Sequence, residues 1–398
     1  MKILITSQHY KPEPIKTHEI AEALAARGHE VTALVGTPNY PDGIVPEEYR
    51  DGKRRDEFEN GVHVMRVPLI PRKNSKLGLA ANYLSFAQSS KRAARKLSID
   101  YDVVLAYQTS PVTMVLPGLV AKRRCNCPCL IYCCDLWPES MLNLVSRDNA
   151  AFKIMKAKSE NIYSQADAIA VTSKPFVDYL VNTHGIDRER LYYLPQHGDG
   201  ALMDEDTNAI DNGVVDFMFM GNMGIASDTD CILEAVKRIR NTPGFKVHFV
   251  GAGNCLERDR VFVRDNHLED IVVFHGRHPQ EEMRDYYRMA DVCLLTLKHD
   301  SAVGLTMPAK LQGYMAAGKP VLGAIDGAAK EVIDESGCGI CVPASDSAAL
   351  ADSMLNIIAR PNILSGMGEK GRTYFSENFT LDRFIDSLER LLTNMVEE

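Results

Sequence analysis

Short apolar runs alternate along this chain with stretches in which apolar residues recur every three or four positions. Ile3 to Thr6 is such a run, and Thr17 to Arg27 turns Ile20, Ala21, Ala23 and Leu24 to one side before Gly28. The pattern predicts a strand, an amphipathic helix and, at Val31 to Val35, a second strand. Tyr101 to Ala106, Pro128 to Cys134, Ala168 to Thr172 and Leu191 to Leu194 are further predicted strands. A second series begins at Val214 to Met220, followed by a helix over Thr229 to Arg240. Strands at Lys246 to Val250, Ile271 to Phe274, Val292 to Leu297 and Val321 to Ala324 alternate with helices at Cys255 to Asn266, Pro279 to Arg288 and Pro308 to Ala317. Ser347 to Ala359 and most of Met367 to Met395 read as helical. Alternating strands and helices predict parallel sheets covered on both faces, so the fold class is α/β.

The chain has 398 residues, about twice an ordinary domain. Its two series of elements divide it into an amino-terminal doubly wound domain at 1–198, a linker at 199–213 and a second domain at 214–375. A terminal helix at 376–398 is expected to return to the first domain. Ligands in such folds meet the carboxyl ends of strands, so two such domains are expected to face each other across a cleft that holds the site.

The formal net charge is −8, which argues against a whole-surface nucleic-acid binder. That total hides an uneven distribution. From Asn60 to Ile99 there is no acid, against Arg66, Arg72, Lys73, Lys76, Lys91, Arg92, Arg95 and Lys96. From Asp199 to Asp216 there are six acids and no Lys or Arg. Leu77, Tyr83, Leu84 and Phe86 lie within the basic stretch. It reads either as a helix covering the first sheet or as a segment resting on an anionic bilayer. The second reading makes Arg72, Lys73, Lys76, Lys91, Arg92 and Arg95 membrane-facing. No run reaches the roughly 20 apolar residues of a membrane span, and the start is too short for a signal peptide. The expected location is the cytoplasm, with peripheral contact at the inner membrane. Ten cysteines lack the spacing of paired metal knuckles and are expected to be buried thiols. No metal is expected.

Gly221-Asn222-Met223-Gly224 follows an apolar strand and precedes a helix. Its glycines suit either a plain turn or a loop turned to a pyrophosphate. It is not the G-x-G-x-x-G of dinucleotide binders. Gly251-Ala252-Gly253 follows the next strand in the same way. Thr306, Pro308, Ala309 and Lys310 open a helix, where free amides and a lysine can grip phosphate oxygens. Arg277, in Gly276-Arg277-His278-Pro279, can meet a base, ribose or phosphate.

In the first half, Asp135 and Glu139 flank the only Trp at a strand end and are candidates for a base or for sugar hydroxyls. A capped turn around a buried Trp137 is the alternative. His9, Lys11, Glu13, Lys16 and His18 fill the loop after the first strand. With His197 and Asp199, they are candidates for acceptor or phosphate contact.

Lys2-Ile3-Leu4-Ile5, Arg27-Gly28-His29-Glu30-Val31-Thr32, Pro38-Asn39-Tyr40-Pro41 and the two glycine loops form a set with Tyr314-Met315-Ala316-Ala317-Gly318-Lys319-Pro320-Val321 and Gly337-Cys338-Gly339. As a set they resemble the retaining, GT-B glycosyltransferases of the large bacterial family 4. Asp135-Leu136-Trp137-Pro138-Glu139 and Met307-Pro308-Ala309-Lys310-Leu311 resemble the branch of colanic acid, O-antigen and capsule enzymes, similar to fucosyl- and N-acetylfucosaminyltransferases. The resemblance implies a nucleotide-sugar donor held by the second domain, UDP-linked with an N-acetylated or 6-deoxy sugar. It implies a polyprenyl-diphosphate-linked saccharide acceptor on the first domain and no catalytic metal.

Several positions depart from that family. Its two glutamates eight positions apart fall here on Leu305 and Gly313, and Asn222 with Ser227-Asp228 replaces the usual Arg and Lys. Gln108-Thr109-Ser110 stands where a catalytic His is common. Lys310 becomes the expected replacement for the missing phosphate charge, which puts it with Asp135 and Glu139 among the candidate catalytic residues. A non-catalytic sugar-nucleotide-binding protein and a GT-B-like epimerase are the alternatives.

Overall fold

The computed structural model describes residues 1–73, 75–142, 145–299 and 305–397. Residues 300–304, shortly before the turn that holds Thr306 and Pro308, lie outside the described residues. The chain forms two compact units: 1–196 with 384–398, and 197–383.

The first unit is built on an eight-stranded sheet in the order β3-β4-β2-β1-β5-β6-β7-β8. Its strands are β1 (Lys2–Thr6), β2 (Glu30–Gly36), β3 (Asp56–Glu59), β4 (Val62–Val67), β5 (Val103–Gln108), β6 (Cys129–Cys133), β7 (Ala168–Val171) and β8 (Leu191–Tyr193). Only β3 runs antiparallel, paired with β4. Helices α1 (Thr17–Ala26), α2 (Lys76–Ala94), α3 (Leu116–Cys125), α4 (Ala150–Ser164) and α5 (Lys174–His184) connect the strands. The central strands β5, β6 and β7 are buried throughout, as a sheet covered on both faces requires.

The β3–β4 hairpin is absent from the pattern-based reading. Its signal was the Asn60-Gly61 turn, where both residues have positive φ (49° and 81°). Charged residues mask the strands on either side. Arg66 on β4 therefore leaves the basic surface: it is buried, paired with Glu57, donates to the Arg54 carbonyl at 2.9 Å and lies 4.9 Å over the Tyr49 ring.

The second unit is built on a six-stranded parallel sheet in the order β11-β10-β9-β12-β13-β14. These strands are β9 (Val215–Met220), β10 (Phe245–Val250), β11 (Val272–Gly276), β12 (Val292–Thr296), β13 (Val321–Ala324) and β14 (Gly339–Val342). Its helices are α6 (Thr229–Ile239), α7 (Leu256–Asp265), α8 (Met283–Met289), α9 (Ala309–Ala316), α10 (Ala328–Ser336), α11 (Ser347–Ala359) and α12 (Met367–Asn378), and α13 (Leu381–Glu397) ends the chain. Phe217, Phe219, Phe249, Ile232 and Val236 pack between β9, β10 and α6 on one face; Met218, Leu295, Tyr314 and Met315 pack on the other.

The expected linker is part of this second unit. Leu202 joins its core, Thr207 donates to the Ala317 carbonyl at 2.6 Å, and the Ile210 amide donates to the Arg288 carbonyl at 2.9 Å. Acidic composition concealed these anchors. The terminal helical stretch breaks at Phe379-Thr380, so α12 stays on the second unit while α13 belongs to the first from Phe384 onward. There Phe384 meets Tyr132 edge-on, and Arg27 pairs with Asp386 and Glu389.

Each sheet has a point where successive connections leave in opposite directions. In the first unit it lies between β1 and β5, and in the second between β9 and β12. Ligands of open α/β sheets bind at the carboxyl ends of strands beside such points.

Candidate functional site

In the second unit the switch point is lined by glycine loops that touch each other. Gly221 and Gly251 have φ of 133° and 141°, which side chains rarely adopt. A Cβ on Gly251 would fall 1.9 Å from the Gly221 carbonyl oxygen, and one on Gly253 2.3 Å from that of Met223. Gly251 and Gly253 thus serve the approach of one loop to the other. Backbone bonds stitch the layers: Gly221 to Val250 at 2.9 Å, Met223 to Ala252 at 2.9 Å and Gly251 to Gly276 at 2.7 Å. The loops enclose a cavity of about 400 Å³ lined by Met220, Gly221, Asn222, Val250, Gly251, Ala252, Arg277, His278 and Met283. Arg277 is thereby brought to the glycine loops. Gly224 sits against the Asn222 side chain, where a Cβ would be 2.9 Å from Nδ2.

Lys310 lies beside the same turn, since a Cβ on Gly221 would be 3.8 Å from its Nζ. Its ammonium is enclosed, has no hydrogen-bond partner among the described residues, and stands 4.1 Å over the Phe219 ring. Burial lowers its pKa to about 8. Pro308 is the residue just before α9 rather than within its first turn. Its φ of −66° and ψ of 129° leave the helix to open at Ala309 with no side-chain cap and no acid in the first turn. The uncapped start of α9 and an ammonium without a hydrogen-bond partner among the described residues thus belong to the same turn, an arrangement suited to an anion. Thr306 is half-buried in the turn that precedes them.

The first unit's switch point has a different character. His9 and Glu13 follow β1 and are both buried. His9 Nδ1 donates to Glu13 Oε2 at 2.6 Å, while Glu13 Oε1 accepts from the amides of Asn39 (2.6 Å) and Tyr40 (2.7 Å). The His9 ring meets Tyr40 edge-on at 5.3 Å, and the Arg72 guanidinium lies 5.3 Å over that tyrosine. Asn39 Oδ1 accepts from the Arg72 amide and from Asn82, and Asn82 in turn accepts from Gln8.

Asp135 follows β6 and accepts from Ser110 Oγ at 2.8 Å; that hydroxyl accepts from Trp137 Nε1 at 3.0 Å. Burial raises the Asp135 pKa, opposed by the Ser110 bond and the charge of His9. Sequence reasoning missed Ser110, Asn39, Tyr40 and Asn82 as parts of this network. The strand-end position of Gln108-Thr109-Ser110 and the prolines around Asn39-Tyr40 were the available signals.

Several expected residues lie elsewhere. Glu139 begins a tight turn directed at α5, where it is buried, accepts from Tyr179 OH at 2.7 Å and lies 3.6 Å from Arg147. Among the described residues it makes no hydrogen bond to Asp135, which is turned to Ser110 instead. Lys11 is neutralised by Glu22 and, at 3.3 Å, by Glu59, which removes it as a free acceptor-side charge. Lys16 immediately precedes α1. His197 is buried where the second unit begins, and Asp199 receives the Ala201 amide at 2.9 Å.

The basic stretch also divides. Arg72 joins the Tyr40 network, whereas Lys73 and Lys76 are exposed. On α2, Asn82, Phe86, Ser90 and Ala94 form the buried stripe, and Leu77 and Leu84 are 85% and 60% exposed on another face. Lys91, Arg92, Arg95 and Lys158 surround a cavity of about 490 Å³ with Leu84 and Leu116. All ten cysteines are free thiols, and burial raises the pKa of those on β6. Among the described residues no cluster of His, Cys, Asp or Glu has the makings of a metal site, and no helix is long and apolar enough to cross a membrane.

Residues 15–197 match the model of a glycosyl transferase 4-like domain, and residues 215–360 match that of glycosyl transferases group 1. The chain is 26% identical over 335 residues to the probable glycosyltransferase WbjE of Pseudomonas aeruginosa, covering 79% of this chain and 81% of that one. It is 24% identical over 342 residues to the putative colanic acid biosynthesis glycosyl transferase WcaI of Escherichia coli, covering 80% and 82%. Among solved structures, Anabaena HepE in complex with UDP superposes with a TM-score of 0.71 at 16% identity, over 99% of this chain and 100% of that one. With its two Rossmann-like sheets and its two matched domains, the chain is a GT-B glycosyltransferase with a 4-like amino-terminal domain and a group 1 carboxy-terminal domain.

Proposed function

We propose that the second unit binds a UDP-linked sugar, N-acetylated or 6-deoxy, and that the enzyme transfers it with retention to a polyprenyl-diphosphate-linked saccharide in surface polysaccharide biosynthesis. The observation that carries this reading is the enclosed ammonium of Lys310, without a hydrogen-bond partner among the described residues, between the Gly221 turn and the uncapped start of α9. Leaving a cation unpaired inside a protein is costly unless a ligand neutralises it. A departing nucleoside diphosphate is such a ligand, and its developing charge is the electrostatic problem of the reaction. The glycine-loop cavity, with Arg277, is sized for the nucleoside. Relatives named for polysaccharide biosynthesis and a fold neighbour solved with UDP support the choice of substrate class.

Donor contacts are assigned to Gly221, Asn222, Gly224, Arg277, Thr306, Pro308, Ala309 and Lys310, with Gly251 and Gly253 shaping the loop. On the first unit, Asp135 and His9 are assigned to the acceptor, with Glu13 fixing His9. The reaction breaks the bond from the sugar C1 to the diphosphate oxygen and forms one to the acceptor oxygen. The acceptor proton passes to the leaving phosphate on the same face. No metal is assigned a part. The cavity of four bases, with exposed Leu77 and Leu84, is assigned to the anionic cytoplasmic surface of the inner membrane, where a lipid-linked acceptor resides.

The test is turnover of a panel of UDP- and GDP-sugars, with and without a polyprenyl-diphosphate saccharide. Transfer from a UDP-sugar only when the lipid acceptor is present is expected. Conversion of donor alone would instead favour an epimerase, and binding without turnover a non-catalytic partner.

A further inference from the structure

Behind the nucleotide cavity lies a polar ladder that crosses three strands inside the second unit. Asp216 on β9 and His248 on β10 are buried. His248 Nε2 donates to Asp216 Oδ1 at 2.9 Å, and Asn212 donates to Asp216 Oδ2 at 2.6 Å. His248 Nδ1 lies 3.0 Å from His275 Nε2 on β11, and the two rings stack with centroids 5.2 Å apart. With its other nitrogen committed to Asp216, a neutral His248 accepts at Nδ1, so His275 donates. Three side chains thus hold the end of β11.

That end carries two carbonyls with separate duties. Gly276 O receives the amide of Gly251, fixing the glycine loop. His275 O lies 3.0 Å from Nε2 of His278, which lines the nucleotide cavity. A carbonyl only accepts, so Nε2 carries a proton. His278 Nδ1 lies 2.7 Å from Glu282 Oε2, another acceptor, so Nδ1 carries one as well. Tyr286 OH sits 2.7 Å from Nε2. The titratable groups facing His278 are therefore Glu282, Tyr286 and His275, and the arrangement favours the imidazolium.

We infer that His278 is a third, protonation-gated cation of the nucleotide pocket beside Lys310 and Arg277, held charged by Glu282 and the His275 carbonyl and held in place by the buried Asp216–His248–His275 ladder. This inference rests on the donor assignment proposed above and adds to it a pH dependence and a set of positioning residues. Glu282 and the His275 carbonyl raise the His278 pKa above 6.5. The sign follows: His278 adds attraction for a diphosphate at pH below its own pKa, and that attraction fades as pH rises through it. His275 is shifted the other way, lowered by burial and then by the neighbouring His248 and His278.

The experiment is calorimetric titration of the full chain with UDP between pH 5.5 and 8.5, for wild type, H278Q, E282Q and H248Q. Wild type is expected to bind about fivefold more tightly than H278Q at pH 6 and equally at pH 8.5, since one charge is at stake. Ionisation of the ligand itself is common to both proteins and cancels in the comparison. E282Q should move the pH at which the difference disappears downward. H248Q should weaken binding at every pH while keeping the slope, as a positioning residue would. Imidazole nitrogen NMR, with the His278 signal identified by its loss in H278Q, should show both ring nitrogens protonated at pH 6.5 without ligand. Equal pH slopes in wild type and H278Q, or a single protonated nitrogen at pH 6.5, would overturn the inference. Failure of wild type to bind UDP while the NMR signature is present would overturn the donor assignment instead, and the gating role with it.

Discussion

Lys11 and Lys310 follow strands that flank the switch points of their respective sheets, and the protein treats them in opposite ways. Lys11 is neutralised by Glu22 and Glu59; burial lowers its pKa, but the two carboxylates outweigh it and leave the pKa raised. Lys310 has no hydrogen-bond partner among the described residues, only the face of Phe219, and burial lowers its pKa to about 8. The same contrast extends across the two units. Beside the first unit's switch point the charged side chains are bonded to one another or to neighbours, as in His9–Glu13–Asn39 and Asp135–Ser110–Trp137. Beside the second unit's switch point the Lys310 ammonium is left without a hydrogen-bond partner among the described residues. A charge that a fold has declined to neutralise is stronger evidence for a ligand than a charge that merely lies near a strand end.

The sharpest way to break this contrast is Lys310→Met. Its expected effect is a loss of 100-fold or more in kcat/KM, about 3 kcal/mol of stabilisation of the departing diphosphate. The same change should raise Tm at pH 7. Unfolded Lys310 titrates near 10.5 and folded Lys310 near 8, so below pH 8 the fold holds an unfavourable buried charge, at a cost of about 1–3 kcal/mol. Wild-type stability should accordingly gain from this group as pH rises from 8 toward 10.5, and the variant should lose that gain. A fall in Tm at pH 7 would mark Lys310 as structural.

Gly251→Ala comes next. Its Cβ would collide with the Gly221 carbonyl, and a loss of about 2–4 kcal/mol in urea unfolding is expected, with UDP affinity reduced. Gly221→Ala, whose Cβ would meet nothing closer than 3.6 Å, should cost less stability. Equal costs would separate the loop contact from its assigned role.

On the first unit, Asp135→Asn should lower kcat about 10- to 100-fold with UDP affinity unchanged, read by steady-state kinetics beside calorimetry. Full activity would sink the acceptor assignment. Reversing Arg92 and Lys158 to Glu should weaken binding to vesicles containing anionic lipid by roughly fivefold per position, at about 1 kcal/mol each. Unchanged sedimentation with vesicles would remove the membrane from the picture. The smallest effect belongs to Glu139→Gln, where turnover should stay within about twofold of wild type; a larger drop would restore its place beside Asp135.

The alternation of strand and helix was legible in the sequence because fully buried parallel strands such as β5 and β6 are continuous apolar runs. The β3–β4 hairpin was not, because Glu57 and Arg66 carry charges that cancel only once the strands pair. The glycine loops and Lys310 could be located by their place after strands. That Gly251 exists for Gly221, and that Lys310 lacks a hydrogen-bond partner among the described residues, depends on distances between elements far apart in the chain. Asp216 illustrates the same limit: an acid in an acidic run reads as solvated surface, yet it anchors a buried histidine. Asp135 and Glu139 looked equivalent because four positions separate them. A turn sends one to Ser110 and the other to Tyr179.

The placement of α13 also bears on the order in which the molecule can be made. Phe384, Ile385, Leu388, Leu391 and Leu392 are buried in the first unit, yet they leave the ribosome after every residue of the second. The unit whose synthesis starts first is therefore the last to close its core. Until α13 arrives, the nascent first unit must wait with the Tyr132 ring and Arg27 still lacking their α13 contacts. The second unit can meanwhile complete its own sheet, so the glycine-loop cavity can form in a chain whose first unit is still unfinished.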